Sequence, residues 1–543
     1  MPKLILLFKF FSRREFLIFG AAFAIFVVAL SFLAVKLIEQ NTEMAMVFGG
    51  EYTEGVVGQP SFINPILAFS DVDRDLVELT FSDLNDLAES YKIDESGKVW
   101  RYRLKENLFW HDNEKITADD IIFSVQAVLN TDVYSPLVKN WQGILVSRIS
   151  EREVEFVLPG PYVFFKNTLE DFRPIPKHIF GDIPAANFKL SDNNLQPIGS
   201  GPYEFDSFQK ESSGYINLYR LKAFENSPKK PYIKGISFAF YRGELELINA
   251  FNSGSVDGFL SANQKNLSKI NFSYQTAVFR TLKYYAVFLN PYSHPALKDK
   301  NVRLALSLAT DKRKIIEKIF NNQASTVNGP LILSDKSEEK FSIEEANSVL
   351  EKTGWRWNSE ENVREKESGK ELTKLEFALT VPEIDFLVET ANAIQQDWAK
   401  IGVKLNLSIV SPAKINEEII KSRNYQMILF GNILGHSQDL FSFWHSSERF
   451  YPGLNLALYE NKTADKLIET IRQNFNDEKR QAELNSLQSL IIMDLPAIFL
   501  YSPNYLYISD KKLFGVEGDL IASISDRFKD VEKWYVKTVR VFK

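Results

Sequence analysis

The side chains able to do chemistry in this 543-residue chain are few, and they are scattered. Five histidines, His111, His178, His294, His436 and His445, fall at no metal-ligand spacing on any one predicted helix, and they read as surface or packing residues. Asp71, Asp73 and Asp75 copy the opening of a calcium loop. Leu76 stands where its turn glycine is required, however, and no glutamate follows at the closing position, so no metal site is expected. Cysteine is absent, which removes disulfides, thiolate nucleophiles, Cys-ligated zinc and iron–sulfur clusters. The chain has no G-x-S-x-G elbow, no H-E-x-x-H, no phosphate-binding loop and no dinucleotide fingerprint. Paired carboxylates keep no fixed spacing, so a carboxylate hydrolase stays open. The weight moves toward a protein that binds rather than converts, and no cofactor is implied.

The elements that would position such a site alternate between helix and strand. Thr117-Ala-Asp-Asp120 reads as a cap with an acid at the third helical position, ahead of Ile121, Ile122, Val125, Val128 and Leu129 on one face. Ser342-Ile-Glu-Glu345 reads as a capping box whose helix stops at Gly354. Leu387, Ala391, Ile394 and Trp398 recur at helical spacing up to Gly402. Val403, Leu405, Leu407 and Ile409 then alternate as a strand. Further strands are expected at 100–104, 153–158, 283–289 and 498–501, with helices near 303–320 and 478–494. The mixture predicts α/β layers. Joints such as Gln196-Pro-Ile-Gly-Ser-Gly-Pro202 mark crossings between lobes.

With 43 Phe, 21 Tyr and 8 Trp and charged residues at 25%, the chain is folded and aromatic-rich, long enough for several lobes. A net charge of −6 gives it no reason to sit on nucleic acid phosphates. Phe16 to Val35 is an uncharged run that crosses roughly 30 Å of hydrocarbon as a helix. It exceeds the core of about 7–15 residues usual in a signal peptide, and no small-x-small site follows it, so a retained anchor is expected. Lys3, Lys9, Arg13 and Arg14 precede it, which puts 1–15 in the cytoplasm and the remainder outside the membrane.

A dozen local patterns, in order, resemble the extracytoplasmic solute-binding proteins of family 5, which serve peptide and nickel ABC importers. They include Gly55-Val-Val-Gly-Gln-Pro-Ser-Phe-Ile-Asn-Pro65, Leu87-Ala-Glu-Ser-Tyr91, and Leu104-Lys-Glu-Asn-Leu-Phe-Trp-His-Asp112 followed by Ile116-Thr-Ala-Asp-Asp-Ile-Ile-Phe-Ser124. Ile175-Pro-Lys-His178, Gly199-Ser-Gly-Pro-Tyr203, Asn290-Pro, Lys298-Asp-Lys-Asn-Val-Arg-Leu-Ala-Leu306, Ile401-Gly-Val403 and Asp526-Arg-Phe with Trp534 continue the series over about 45–540.

The resemblance implies a periplasmic-binding-protein type II-like two-lobe α/β clamshell with an inserted extra subdomain, here preceded by one transmembrane helix. Lobe I would comprise 41–75, 190–280 and 497–543, the inserted subdomain 76–189, and lobe II 281–496. Its partners would be an ABC permease with its ATPases, a peptide or peptide-like ligand, and the bilayer. An oligosaccharide or a metal chelate is the alternative ligand, and sensing without transport an alternative role. A peptide held as an added strand needs a free strand edge, aromatic walls and a carboxylate for its ammonium. Candidate edges are Met46 to Gly50, with Phe48 and Gly49, and Met427 to His436, with Phe430, Asn432, Leu434 and His436. Phe430, Phe441 and Trp444 would wall the cleft, Tyr284 and Asn290 lie near the lobe crossing, and Asn64 sits in the asparagine–proline turn. The aspartate that such receptors place near the peptide ammonium is missing, since Leu434-Gly435-His436 occupies its neighbourhood. Asp439, Glu51 or Glu54 are left as substitutes.

Overall fold

Strand Lys283–Leu289 is buried along nearly its whole length, and its alternate side chains feed two separate cores. Tyr285, Val287 and Leu289 join one core, and Tyr284, Ala286 and Phe288 the other. Such a strand is the centre of a sheet covered on both faces. A computed structural model of the chain describes residues 12–261, 264–332, 340–369, 371–437 and 439–542, and this strand is central to a six-stranded sheet within it. In spatial order that sheet contains Ala324–Thr326, Ala497–Pro503, Lys283–Leu289, Met427–Ile433, Glu376–Pro382 and Lys404–Val410. The last two are parallel, and helix Asp385–Ala399 connects them as the apolar spacing predicts. Trp398 locks that helix by donating its indole N–H to Leu306 O at 3.1 Å and to Thr310 Oγ1 at 3.0 Å.

A second, eight-stranded sheet runs Leu520–Ile521, Tyr274–Thr281, Tyr505–Asp510, Gly258–Ser261, Glu51–Val57, Gly235–Tyr241, Ile216–Ala223 and Tyr203–Lys210. Its apolar face joins a core that continues through Trp100, Trp110 and Trp141 into a four-stranded antiparallel sheet made from Ala88–Ile93, Val99–Leu104, Glu153–Val157 and Leu145–Ser150. The chain passes between the two large sheets twice. Leu282 alone separates strand Tyr274–Thr281 from Lys283–Leu289, and Asn504 alone separates Ala497–Pro503 from Tyr505–Asp510. The crossings are tied side by side, Thr281 Oγ1 donating to Pro503 O at 2.9 Å and Ser502 Oγ to Thr281 O at 3.0 Å. The return crossing therefore falls at Asn504. Strand Ala497–Pro503, which the sequence reading puts in lobe I, is instead hydrogen-bonded into the six-stranded sheet.

Helix Ala118–Leu129 opens with the expected capping box. Asp120 is buried, and its carboxylate accepts the Thr117 N–H at 2.8 Å and the Lys177 N–H at 2.9 Å. Asp120→Ala leaves both donors unmet. It is expected to cost about 1–3 kcal/mol, read by urea unfolding, with solute binding unchanged.

At the other end of the chain, helix Arg13–Asn41 carries an apolar stretch within Arg14–Ile38, none of it buried against the protein and long enough to cross a bilayer. Lys3 and Lys9 lie outside the described residues.

Candidate functional site

Between the two large sheets lies a cavity of about 470 Å³, within the range of roughly 300–1,000 Å³ usual for small-ligand sites. Helix Asp71–Thr80 supplies Asp71, Arg74 and Glu78 to one wall, and the stretch after helix Phe165–Glu170 supplies Asp171 and Arg173. The paired crossings contribute Thr281, Lys283 and Tyr505. Ile433, Gly435 and His436 enter from the end of strand Met427–Ile433, and Ser523 to Asp526 with Lys529 from the turn after Leu520–Ile521. Both sheets thus furnish the lining. A second hollow of about 430 Å³ is lined from the six-stranded half by Tyr292, Arg303, Tyr459 and Asp494. Its polar groups are already engaged, Arg303 with the carbonyls of Asp494 and Leu495 and the Asp494 carboxylate with Tyr459 and Asn461.

Most cavity charges are paired. Arg173 meets Glu78 at 2.5 Å with both side chains 10% exposed, and Arg74 meets Asp71 at 3.2 Å. Two groups differ. Among the described residues, Asp171 has no cation and Lys283 no carboxylate within ion-pair distance. Asp171 is exposed at the cavity, where desolvation by the neighbouring walls raises its carboxyl above the ordinary range against the pull of His436, Lys529 and Arg173. Lys283 lies 5.2 Å over the Tyr285 ring and faces the Tyr505 hydroxyl. A cavity holding one uncommitted anion and one uncommitted cation is suited to a solute that carries both charges.

One contact spans the cavity. His436 Nε2, beyond the six-stranded sheet, lies 2.9 Å from Asp526 Oδ2 and 2.7 Å from Lys529 Nζ, both beyond the eight-stranded sheet. One nitrogen cannot do both jobs: protonated, it donates to Asp526, and unprotonated it accepts from Lys529. The hydrogen bond to Asp526 raises His436 above its usual value. Burial works against the Asp526 charge, but the His436 hydrogen bond, the Lys529 charge and the Ser523 N–H together hold its carboxyl far below the carboxylate range. The sign follows from linkage. The raised histidine stabilises below its unfolded value of about 6.5 and loses that contribution as pH rises through its folded value. The lowered aspartate stabilises above about 4 and loses its part as pH falls. His436→Gln is therefore expected to lower stability by on the order of 1 kcal/mol near pH 5 and by almost nothing at pH 9, a difference that denaturant melts across that range would reveal.

Beneath this cavity is a fully buried charge cluster. Arg527, 1% exposed, meets Asp75 Oδ2 at 2.6 Å and Glu54 Oε1 at 3.0 Å. Tyr507 and Tyr52 donate their hydroxyls to Glu54 Oε2 at 2.6 and 3.0 Å. Glu54, read from sequence as a possible ammonium partner, is thus committed to Arg527, and no solute reaches it. The three aspartates that mimic a calcium loop have three separate tasks. Asp71 pairs Arg74, Asp75 pairs Arg527, and Asp73 caps its helix while accepting the Ser61 and Phe62 N–H groups at 2.7 and 2.9 Å.

Of the residues singled out in sequence, the fold brings His436 into the cavity lining, with Ile433 and Gly435 of the same segment. Strand Met427–Ile433 has a partial free edge: its register with Glu376–Pro382 ends at Ile428, while its pairing to Lys283–Leu289 continues to Ile433. Asn432 and Tyr284 face away from the cavity, hydrogen-bonded to each other at 2.9 Å in a core that also takes Leu434, Trp444 and the partly buried Phe430. Asn290 is buried, donating to Tyr425 O at 2.8 Å. Asn64 donates to Asn194 Oδ1 at 3.1 Å. Asp439 accepts from Tyr162 at 2.9 Å and pairs Arg472 at 3.1 Å, and that guanidinium covers the Phe441 ring. Phe48, Gly49 and Glu51 lie outside the lining, where Gly49 donates to Tyr232 O. The charges that sequence reading missed, Asp171, Lys283, Asp526 and Lys529, share no spacing. Only Asp526 stood in a motif, and there its capping bonds to the Ala522 and Ser523 N–H groups disguise it.

Comparison with known proteins gives a consistent result. The profile of bacterial extracellular solute-binding proteins, family 5, middle region, matches residues 84–450. The oligopeptide-binding protein AppA of Bacillus subtilis is 24% identical over 513 residues, 90% of this chain and 92% of that protein. Among solved structures, the ABC transporter substrate-binding protein CtaP of Listeria monocytogenes superposes with a TM-score of 0.76 at 24% identity, covering 90% of this chain and all of the other. NikZ of Campylobacter jejuni, solved with Ni(L-His), gives 0.70 at 24% identity over 89% of this chain and 99% of its own.

Proposed function

From a chain that belongs to the family 5 bacterial extracellular solute-binding proteins, we infer a membrane-tethered receptor of an ABC importer that captures a peptide or peptide-like solute between its two sheets and hands it unaltered to a permease. The observation that carries this reading is the cavity itself. It is lined from both sheets, bridged by His436 and Asp526, and furnished with Asp171 and Lys283 as uncommitted charges. The free edge at Leu429–Ile433 offers main-chain groups to an extended ligand. Asp171 takes the place of the missing ammonium partner, and Lys283 receives a carboxylate.

In this reading the eight-stranded sheet, built from 41–75, 190–280 and the segment after Asn504, is one lobe, 76–189 is the inserted subdomain, and 281–503 is the other lobe. Leu282 and Asn504 form the hinge of a clamshell whose halves close on the solute. The apolar helix holds it to the membrane with 1–15 in the cytoplasm and the lobes on the far side. The relatives' names support the ligand class, since AppA is named an oligopeptide-binding protein. The Ni(L-His) complex of NikZ supports a second reading, a metal chelate in the same cavity, with His436 the group able to meet it.

Native mass spectrometry of the detergent-solubilised full chain tests the proposal. Release of a mixture of short peptides is expected. A single metal chelate would replace the peptide reading, and hydrolysis of offered peptides by the purified chain would overturn the assignment as a receptor that leaves its solute intact.

A further inference from the structure

The helix that carries the apolar stretch ends at Asn41, and the next residue already begins a strand. Its last turn is closed by side chains: Asn41 Nδ2 donates to Leu37 O at 2.8 Å and Thr42 Oγ1 to Ile38 O at 2.5 Å. Thr42–Met46 then pairs antiparallel with Thr538–Phe542, near the end of the chain, in register from Thr42 opposite Phe542 to Met46 opposite Thr538. Hydrogen bonding continues without a break. Val47 N–H donates to Lys537 O at 3.1 Å, Gly49 N–H to Tyr232 O at 2.7 Å, and Lys234 N–H to Gly50 O at 3.0 Å, after which the chain enters the eight-stranded sheet at Glu51. Residues 42–50 thus form a bonded ribbon and not a loose linker, and even fully extended they reach about 30 Å.

One face of this ribbon exposes several apolar side chains. Residues opposite one another in an antiparallel pair share a face, so Met44, Met46 and Phe542 lie on one side together with Arg540. Met44 is 58%, Met46 45% and Phe542 82% exposed, while Val539, opposite Ala45, is exposed on the other face with Glu43. None of the three enters a core cluster. An exposed apolar group of this kind calls for a partner. The helix fixes which one, because a span of 25 residues from Arg14 to Ile38 at about 1.5 Å each more than fills the hydrocarbon and leaves Asn41 and Thr42 among the headgroups.

We propose that the ribbon formed by Thr42–Met46 and Thr538–Phe542 is a lipid-binding surface that lies in the interfacial layer of the bilayer crossed by the helix. Met44, Met46 and Phe542 enter the headgroup–acyl boundary, while Arg540 on the same face donates to Thr42 Oγ1 at 3.3 Å and braces the ribbon against the end of the helix. The proposal rests on the membrane tether inferred above and adds to it that the last strand of the chain is part of the attachment, so the receptor is held close to the membrane in a restricted orientation.

The absence of cysteine makes the test clean. Single-cysteine variants Met44→Cys and Phe542→Cys, with Lys479→Cys at an exposed position of helix Asp477–Asp494 as the reference, are spin-labelled in the full chain and reconstituted into vesicles of phosphatidylcholine and phosphatidylglycerol. Collision with oxygen is compared with collision with a water-soluble nickel chelate. The ratio is expected to be several-fold higher at 44 and 542 than at 479. Equal ratios at all three positions in a chain that stays with the vesicles through alkaline carbonate overturn the ribbon and leave the tether standing. Loss of the chain into the carbonate overturns both. Dipolar broadening between labels of neighbouring molecules assigns the face to a second copy and likewise overturns the lipid assignment.

Discussion

Replacing Arg527 by leucine is expected to cost roughly 3–5 kcal/mol of unfolding free energy, enough to exhaust much of the margin of an ordinary domain. The guanidinium is 1% exposed and makes paired contacts to the Asp75 carboxylate, 2.8 Å from Nη1 to Oδ1 and 2.6 Å from Nη2 to Oδ2, while Nη2 also reaches Glu54 at 3.0 Å. Burial pushes both carboxyls up, and Arg527 is the chief force holding them charged. Its removal strands two buried carboxylates, and the shorter apolar side chain of leucine does not offset that. Arg527→Lys keeps the charge but loses the fork, so it should fall between the two. Urea unfolding followed by far-ultraviolet circular dichroism measures all three proteins. A loss below about 1 kcal/mol for the leucine variant would mean that the cluster is not the structural joint described here between strand Glu51–Val57, helix Asp71–Thr80 and the turn Ile524–Phe528.

The second large effect concerns the solute. Asp171→Asn and Lys283→Met are each expected to weaken binding of a solute carrying ammonium and carboxylate groups by about 10-fold, the loss of one charge-assisted hydrogen bond in a cavity partly open to water. Neither residue is in an ion pair among the described residues, so melting temperature should hardly move, which separates this result from a folding defect. Calorimetric titration with a solute recovered from the native chain checks it. The double variant combines the two losses if the charges act at opposite ends of the ligand. It shows no further loss if one end governs binding.

Much of the framework was readable because local signals agree with the tertiary fold. The capped helix at Ala118–Leu129 and the helix and strand around Gly402 each follow from a few neighbouring residues. Where a local pattern had a non-local cause, reading stopped short. Gly199-Ser-Gly-Pro-Tyr203 looks like a tight reversal, but its glycines are needed because a Cβ at Gly199 or Gly201 would strike the backbone at Thr80, whose carbonyl accepts both the Ser200 and the Gly201 N–H at 2.9 Å. His111 clamps the same joint, its Nδ1 accepting the Gly199 N–H at 3.0 Å, and burial lowers it to about 4.

The candidate site was hardest to see. Its charges come from segments hundreds of residues apart, and the residues that look most eligible in sequence are consumed by packing. Glu54 serves Arg527, which lies 473 positions away. Trp444, expected in the cleft wall, and Tyr284, expected near the lobe crossing, fill a core behind the cavity instead. Strand alternation explains the misplacement: reading Met427 to His436 as one edge gives no way to tell which alternate residues face the cavity until the partner strand Lys283–Leu289 is known. His436 is reached because it lies beyond the strand, where alternation no longer applies.

The most direct test is a crystal structure of the chain purified with whatever solute it retains. The account predicts electron density for that solute between the two sheets, in contact with Asp171, Lys283 and the segment Ile433–His436. Density for a retained solute elsewhere, with this cavity holding only water, would contradict it.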